Sequence, residues 1–132
     1  MRVMLDTNIL ISALLFKSKL MDDLIECLAN KHSIVLCSYV IDELHETVDS
    51  KFAAKNADVV RFLLELPFEY VYTPYVLPTH DYFTIRDSDD EKVLYSAIIA
   101  DVDVLVTGDK DFHAVDIERP EILNPVDFLA KY

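Results

Sequence analysis

Short apolar runs alternate with longer amphipathic segments along this chain. Each run spans four or five residues, and several are rich in Val, Ile and Leu, as in the SIVLC segment at 33–37. Near-continuous apolar strands are typical of parallel sheets that are covered on both faces. Strands that alternate with helices favour right-handed crossovers between parallel neighbours. The pattern therefore predicts a three-layer α/β/α sandwich with a parallel central sheet.

The same pattern gives approximate element boundaries. Thr7 or Asn8 is suited to cap the first helix, and Ser38 is suited to cap the third. An irregular connection is expected over residues 74–84, which contain two prolines. Strands are predicted over residues 2–5, 33–37, 68–72, 103–107 and 120–123. Helices are predicted over residues 9–16, 20–30, 39–50, 53–66, 92–100 and 126–131.

Composition limits the class of protein. The 132 residues suit one domain, 1–132, and 52% hydrophobic residues argue against disorder. The net charge of −12 argues against attraction of nucleic acid or anionic membrane to the whole surface. It does not exclude a nucleic-acid substrate, because the acids of a catalytic cluster add to the negative charge.

Two further features bear on the compartment. Cys27 and Cys37 lie in apolar runs without metal-type spacing, which favours reduced core residues over a disulfide. No apolar run approaches the ~20 residues that span a membrane, and the N-terminus lacks a secretory signal pattern. We expect a soluble cytoplasmic protein with no membrane partner.

Four acidic residues follow predicted strands or lie near the start of predicted helices: Asp6, Glu43, Asp90 and Asp109. In a parallel sheet all four positions fall at the carboxyl edge, where open α/β sheets bind ligands. Each acid also has an ordinary alternative. Asp6 suits a helix cap, Glu43 a solvated face, Asp90 the helix dipole and Asp109 a turn. The shared edge is what favours a common site.

Converging carboxylates need a compensating charge. Two carboxylates ~4 Å apart repel by about 4 kcal/mol at an effective dielectric of ~20, so either some are protonated or a divalent cation holds them together. Oxygen ligands without paired His or Cys favour Mg²⁺ or Mn²⁺. Such a cation promotes phosphodiester hydrolysis by activating water and stabilising the leaving oxygen. Asn8 and Thr107 are polar neighbours suited to orient a carboxylate or a metal-bound water.

Basic residues give a weaker signal. Lys51, Lys55 and Arg61 are close in sequence and are candidates for contact with a phosphate backbone, although a solvated helix face fits their spacing better.

Several segments resemble the PIN domain: MLDTNILISALL at the N-terminus, the DEL triplet at 42–44, RDSDDEKVLYSA, and DVLVTGDKDF. The chain is similar, over roughly residues 1–128, to stand-alone PIN proteins of the VapC-like toxin type. Thr107 matches the hydroxyl residue beside the last acid, and Glu91 is the alternative for the third acid because acids crowd together there. The resemblance places the family's acids on Asp6, Glu43, Asp90 and Asp109.

The resemblance implies a function and partners. It implies an Mg²⁺- or Mn²⁺-dependent ribonuclease that cuts single-stranded or structured RNA. It also implies an antitoxin protein, whose tail lies in the acidic groove with an Arg at the carboxylates, and a homodimer. Residues 20–30 and 53–66 offer candidate dimer faces, or equally core packing.

Two alternatives remain. One is a catalytically silent PIN-like scaffold that binds RNA or a protein partner. The other is a receiver-type phosphorylation switch, which needs an acid after its central strand. Here the third strand is followed by Thr73 and Pro74, so the receiver interpretation is poor.

Overall fold

The strands form one parallel sheet in the order β3-β2-β1-β4-β5. We describe residues 1–76, 85 and 88–132 of a computed structural model. β1 lies at the centre, and the strand order reverses between β1 and β4, which is where open α/β sheets form a ligand crevice. The strands are β1 (Arg2–Leu5), β2 (Ser33–Cys37), β3 (Phe68–Val71), β4 (Val104–Val106) and β5 (Glu121–Leu123).

Helices flank this sheet and confirm the predicted α/β/α sandwich. A short 3₁₀ helix, Ala53–Lys55, precedes the fourth α-helix. Within the described residues the helices are α1 (Thr7–Leu15), α2 (Lys19–Lys31), α3 (Ser38–Lys51), α4 (Asn56–Glu65), α5 (Ser88–Ile99), α6 (Lys110–His113) and α7 (Pro125–Lys131).

The three central strands are buried on both faces. Consecutive residues of a strand point to opposite faces, and Met4 and Leu5 of β1 are both fully buried. Leu36 and Cys37 of β2 are also fully buried. The edge strands β3 and β5 have no fully buried residue. The apolar runs of the sequence therefore reflect a sheet that is covered on both sides.

Two predicted helix caps are wrong. The cap of α1 is Asp6, whose carboxylate accepts a hydrogen bond of 2.8 Å from the backbone N–H of Thr7. Cys37 precedes α3 and makes no side-chain capping bond. The Ser38 hydroxyl instead accepts a 2.9 Å bond from the backbone N–H of Thr73. The hydroxyl that local preference assigns to helix capping therefore makes a contact with a residue distant in sequence.

Other boundaries shift by a few residues. The predicted helix 53–66 divides into the 3₁₀ helix and α4. α5 begins at Ser88 rather than at Lys92, because the acids of its first turn are favourable at a helix N-terminus. β3 and β4 are shorter than predicted. α6 was not predicted, and residues 77–84 of the expected irregular connection lie outside the described residues.

Both cysteines are free thiols, Cys37 buried and Cys27 partly buried. Across 1–76, 85 and 88–132, no helix has the length and apolar character needed to cross a membrane.

Candidate metal-binding active site

Asp6 lies where β1 ends and α1 begins. Its Oδ1 accepts the Thr7 N–H, and its Oδ2 accepts a 2.9 Å hydrogen bond from the Thr107 hydroxyl at the end of β4. The Asp6 side chain is only 5% exposed. Two hydrogen bonds from neighbouring strand ends therefore hold this carboxylate at the point where the strand order reverses.

The surroundings of Asp6 disfavour its charge. Burial raises the pKa of Asp6 to about 6, although the hydrogen bonds from Thr107 and Thr7 act in the opposite direction. The negative charges of Glu43 and Asp109 raise it further. A nearby cation would offset this repulsion and favour the ionised form of Asp6.

Asp109 follows β4 and caps α6. Its Oδ1 accepts a 2.8 Å hydrogen bond from the backbone N–H of Asp111. Its own N–H donates to the hydroxyl oxygen of Thr107 over 3.1 Å. Thr107, which is fully buried, thus joins Asp109 to Asp6, since the same hydroxyl donates to Asp6.

Glu43 and Asp90 approach from two helices. Glu43 lies on α3, and its Oε2 accepts a 3.1 Å hydrogen bond from the Tyr39 hydroxyl. Asp90 lies in the first turn of α5. Both helices begin at the carboxyl edge of the sheet. They bring their acids to the same place as the acids that follow β1 and β4.

One cleft of about 260 Å³ joins these elements. All four predicted acids and the predicted neighbour Asn8 line it, whereas Thr107 and the alternative acid Glu91 do not. The lining residues are Asp6, Thr7, Asn8, Ile11, Glu43, Thr47, Lys51, Asp89, Asp90 and Asp109.

Three carboxylates form a potential cation site. Oxygens of Asp90, Asp109 and Asp111 lie within 4.8 Å of one another. An all-oxygen set of this kind suits Mg²⁺ or Mn²⁺ better than zinc. Asp111 was not selected from the sequence. The sequence feature that could have identified it is the second acid of TGDKD, at residues 107–111. The turn of α6 brings this acid close to Asp109.

The basic stretch divides between two surfaces. Lys51 lines the acidic cleft. Lys55 and Arg61 line a separate groove between α1, α2 and α4, where each lies 3.7 Å from the Asp58 carboxylate. Of the three, only Lys51 is therefore placed to contact a ligand of the acidic cleft.

Comparison with known proteins agrees with this architecture. The PIN domain model matches residues 2–111, so the chain belongs to the PIN-domain family and the predicted resemblance is confirmed. No curated protein matches it significantly.

Among solved structures, a chain of "VapBC2 from Rickettsia felis bound to a DNA fragment from their promoter" superposes with a TM-score of 0.71. Its sequence identity is 21%, and the match covers 94% of this chain and 98% of that chain. At this identity the similarity shows a shared fold.

Proposed function

We propose that this protein is a metal-dependent endoribonuclease that hydrolyses phosphodiester bonds in single-stranded or structured RNA. One observation carries the proposal: acids from four separate parts of the fold line one cleft. Carboxylate oxygens of two of them, Asp90 and Asp109, lie within 4.8 Å of each other and of Asp111. Membership in the PIN-domain family supports it.

In this proposal four acids of the cleft would hold Mg²⁺ or Mn²⁺: Asp6, Glu43, Asp90 and Asp109. Asp111 would add a further carboxylate beside Asp90 and Asp109. The bound cation supplies Lewis-acid stabilisation of the phosphodiester and lowers the pKa of water. Thr107 keeps the Asp6 carboxylate in place through its hydroxyl. Asn8 lines the cleft as a polar neighbour of the carboxylates.

Lys51 holds the RNA backbone. Glu43, Thr47 and Lys51 lie at intervals of four residues along α3, so they share one helix face, and all three line the cleft. With a rise of about 1.5 Å per residue, Lys51 lies about 12 Å along the helix from Glu43. That separation suits contact with a phosphate flanking the cleaved one.

We also propose that the protein is the toxin of a toxin–antitoxin pair. The Rickettsia felis structure with a similar fold is a VapBC2 complex. A net charge of −12 suits a partner with a basic segment. The two candidate dimer faces both contribute to the groove between α1, α2 and α4. Homodimerisation and cytoplasmic location remain predictions.

Cleavage of a mixed single-stranded RNA tests the proposed activity. Purified protein is assayed with Mg²⁺, with Mn²⁺ and with excess EDTA, beside Asp6→Asn. Asp116→Asn serves as the matched control, because Asp116 is exposed and does not line the cleft. We expect RNA cleavage that requires a metal ion, persists in Asp116→Asn and is lost in Asp6→Asn. Absence of cleavage by folded protein with either metal would contradict the nuclease proposal and favour the catalytically silent scaffold.

A further inference from the structure

Tyr39 is a partly buried aromatic residue beside the acidic cleft. It lies in the first turn of α3, four residues before Glu43, so the two side chains share one helix face. Its hydroxyl donates the 3.1 Å hydrogen bond that Glu43 Oε2 accepts. Tyr39 does not itself line the cleft, so it acts on the site through Glu43.

Contacts from other elements fix the position of Tyr39. Its backbone N–H donates to the hydroxyl oxygen of Thr73 over 3.1 Å, and that oxygen lies 3.0 Å from the hydroxyl oxygen of Ser96 on α5. The Lys92 ammonium lies 4.9 Å from the centre of the Tyr39 ring and 3.2 Å from Asp89 Oδ1. Tyr39 therefore connects α3 with the chain after β3 and with α5.

The surroundings of Tyr39 favour the protonated form of its hydroxyl. Burial raises the pKa of Tyr39 well above its usual value. The negative charge of Glu43 and its hydrogen bond add to this effect, and Asp89 adds a smaller contribution. The proton that is donated to Glu43 is therefore retained at neutral pH.

We propose that Tyr39 is a positioning residue for the metal site: its hydroxyl holds the Glu43 carboxylate in one orientation toward the acids of α5. A glutamate side chain has several rotatable bonds, and ordering them on binding costs conformational entropy. The hydrogen bond imposes that order before a cation arrives. The inference rests on the proposed cation site in the cleft.

Tyr39→Phe tests this role, because it removes the hydroxyl and keeps the ring that lies under Lys92. We expect the Mn²⁺ affinity, measured by titration calorimetry, to fall about tenfold, the usual scale for losing a hydrogen bond to a metal ligand. Saturating Mn²⁺ is expected to restore most RNA cleavage. Tyr72→Phe is the matched control, since Tyr72 is 81% exposed and does not line the cleft.

A double-mutant cycle separates positioning from a general folding defect. In a Glu43→Ala background the hydroxyl can no longer orient Glu43, so adding Tyr39→Phe is expected to lower the Mn²⁺ affinity much less than it does in the wild type. An equal loss in both backgrounds would overturn the proposal, as would wild-type affinity in Tyr39→Phe alone.

The cycle also distinguishes this inference from the nuclease proposal. If Mn²⁺ binds and Tyr39→Phe weakens it, but RNA is not cut, the positioning role stands and the nuclease proposal fails. If RNA is cut and Tyr39→Phe binds Mn²⁺ as the wild type does, the nuclease proposal stands and the positioning role fails. A wild-type protein that binds no Mn²⁺ would overturn both.

Discussion

The acidic cleft and the groove between α1, α2 and α4 differ in size and in charge balance. The groove is the larger, about 670 Å³ against about 260 Å³. Among the described residues, four acidic and three basic ones line the groove, whereas five acids and one lysine line the cleft. Asp58 of the groove lies near both Lys55 and Arg61. Size alone would select the groove, but the excess of acids over basic residues in its lining makes the cleft the better candidate for binding a cation.

The largest effect that we expect from the excess of acids in the cleft is on the pH dependence of protein stability. Burial raises the pKa of Asp6 from its ordinary value of 3.8 to about 6 in the folded protein. The folded state therefore binds the proton more tightly, and the contribution of Asp6 to stability falls as pH rises from about 4 to about 6. The expected loss is about 3 kcal/mol in metal-free protein.

Urea unfolding of wild type and Asp6→Asn across this pH range measures the loss. The free energy of unfolding of the wild type, relative to that of Asp6→Asn, is expected to fall as pH rises from about 4 to about 6. Addition of Mn²⁺ above pH 6 is expected to stabilise the wild type. A difference that does not vary with pH would show that Asp6 ionises without penalty.

Asp111→Asn tests whether the acid that was missed in the sequence belongs to the cleft. We expect Mn²⁺ affinity and cleavage at limiting Mn²⁺ to fall between about tenfold and a hundredfold, because one of three close carboxylates loses its charge. Asp116→Asn again provides the control. Unchanged affinity in Asp111→Asn would restrict the cation site to the other acids.

Lys51→Ala tests the one positive charge that the described part of the chain contributes to the lining of the cleft. We expect the KM for single-stranded RNA to rise about threefold to tenfold with little change in kcat, and the salt dependence of binding to weaken by about one phosphate contact. Lys31→Ala is the control, since Lys31 is exposed and outside the cleft. Equal effects of both variants would indicate attraction by overall charge.

Asp58→Asn tests the balanced charges of the groove. The ion pairs of Asp58 are exposed and long, so the free energy of unfolding is expected to change by no more than about 1 kcal/mol. RNA cleavage is expected to be unaffected. A large loss of cleavage would connect the groove to the acidic cleft.

Residues whose positions in the fold depend on neighbours in sequence were predicted well. Met4 and Leu5 belong to an apolar run that predicts a buried strand, and Asp6 takes its place from the end of that run. Parallel strands necessarily bring their carboxyl ends together, so the placement of Asp109 near Asp6 followed from the strand pattern.

Residues whose roles depend on distant contacts were missed. Ser38 has a local preference for capping, but its hydroxyl accepts from Thr73, 35 residues later. α6 has four residues, too few to show helical periodicity, so Asp111 had no element to place it. Tyr39 appears in sequence as another partly apolar helix residue, and its partners on α5 become visible only in the folded chain.

The bond from Thr107 to Asp6 also has a consequence for synthesis of the chain. It joins residues 101 positions apart, at the ends of two strands that must pair before it can form. During translation Asp6 is synthesised early, and most of the chain must be added before Thr107 is present to bond with it. The acidic cleft is therefore complete only after β4 has paired with β1, and partly synthesised chains that lack β4 do not contain the assembled site.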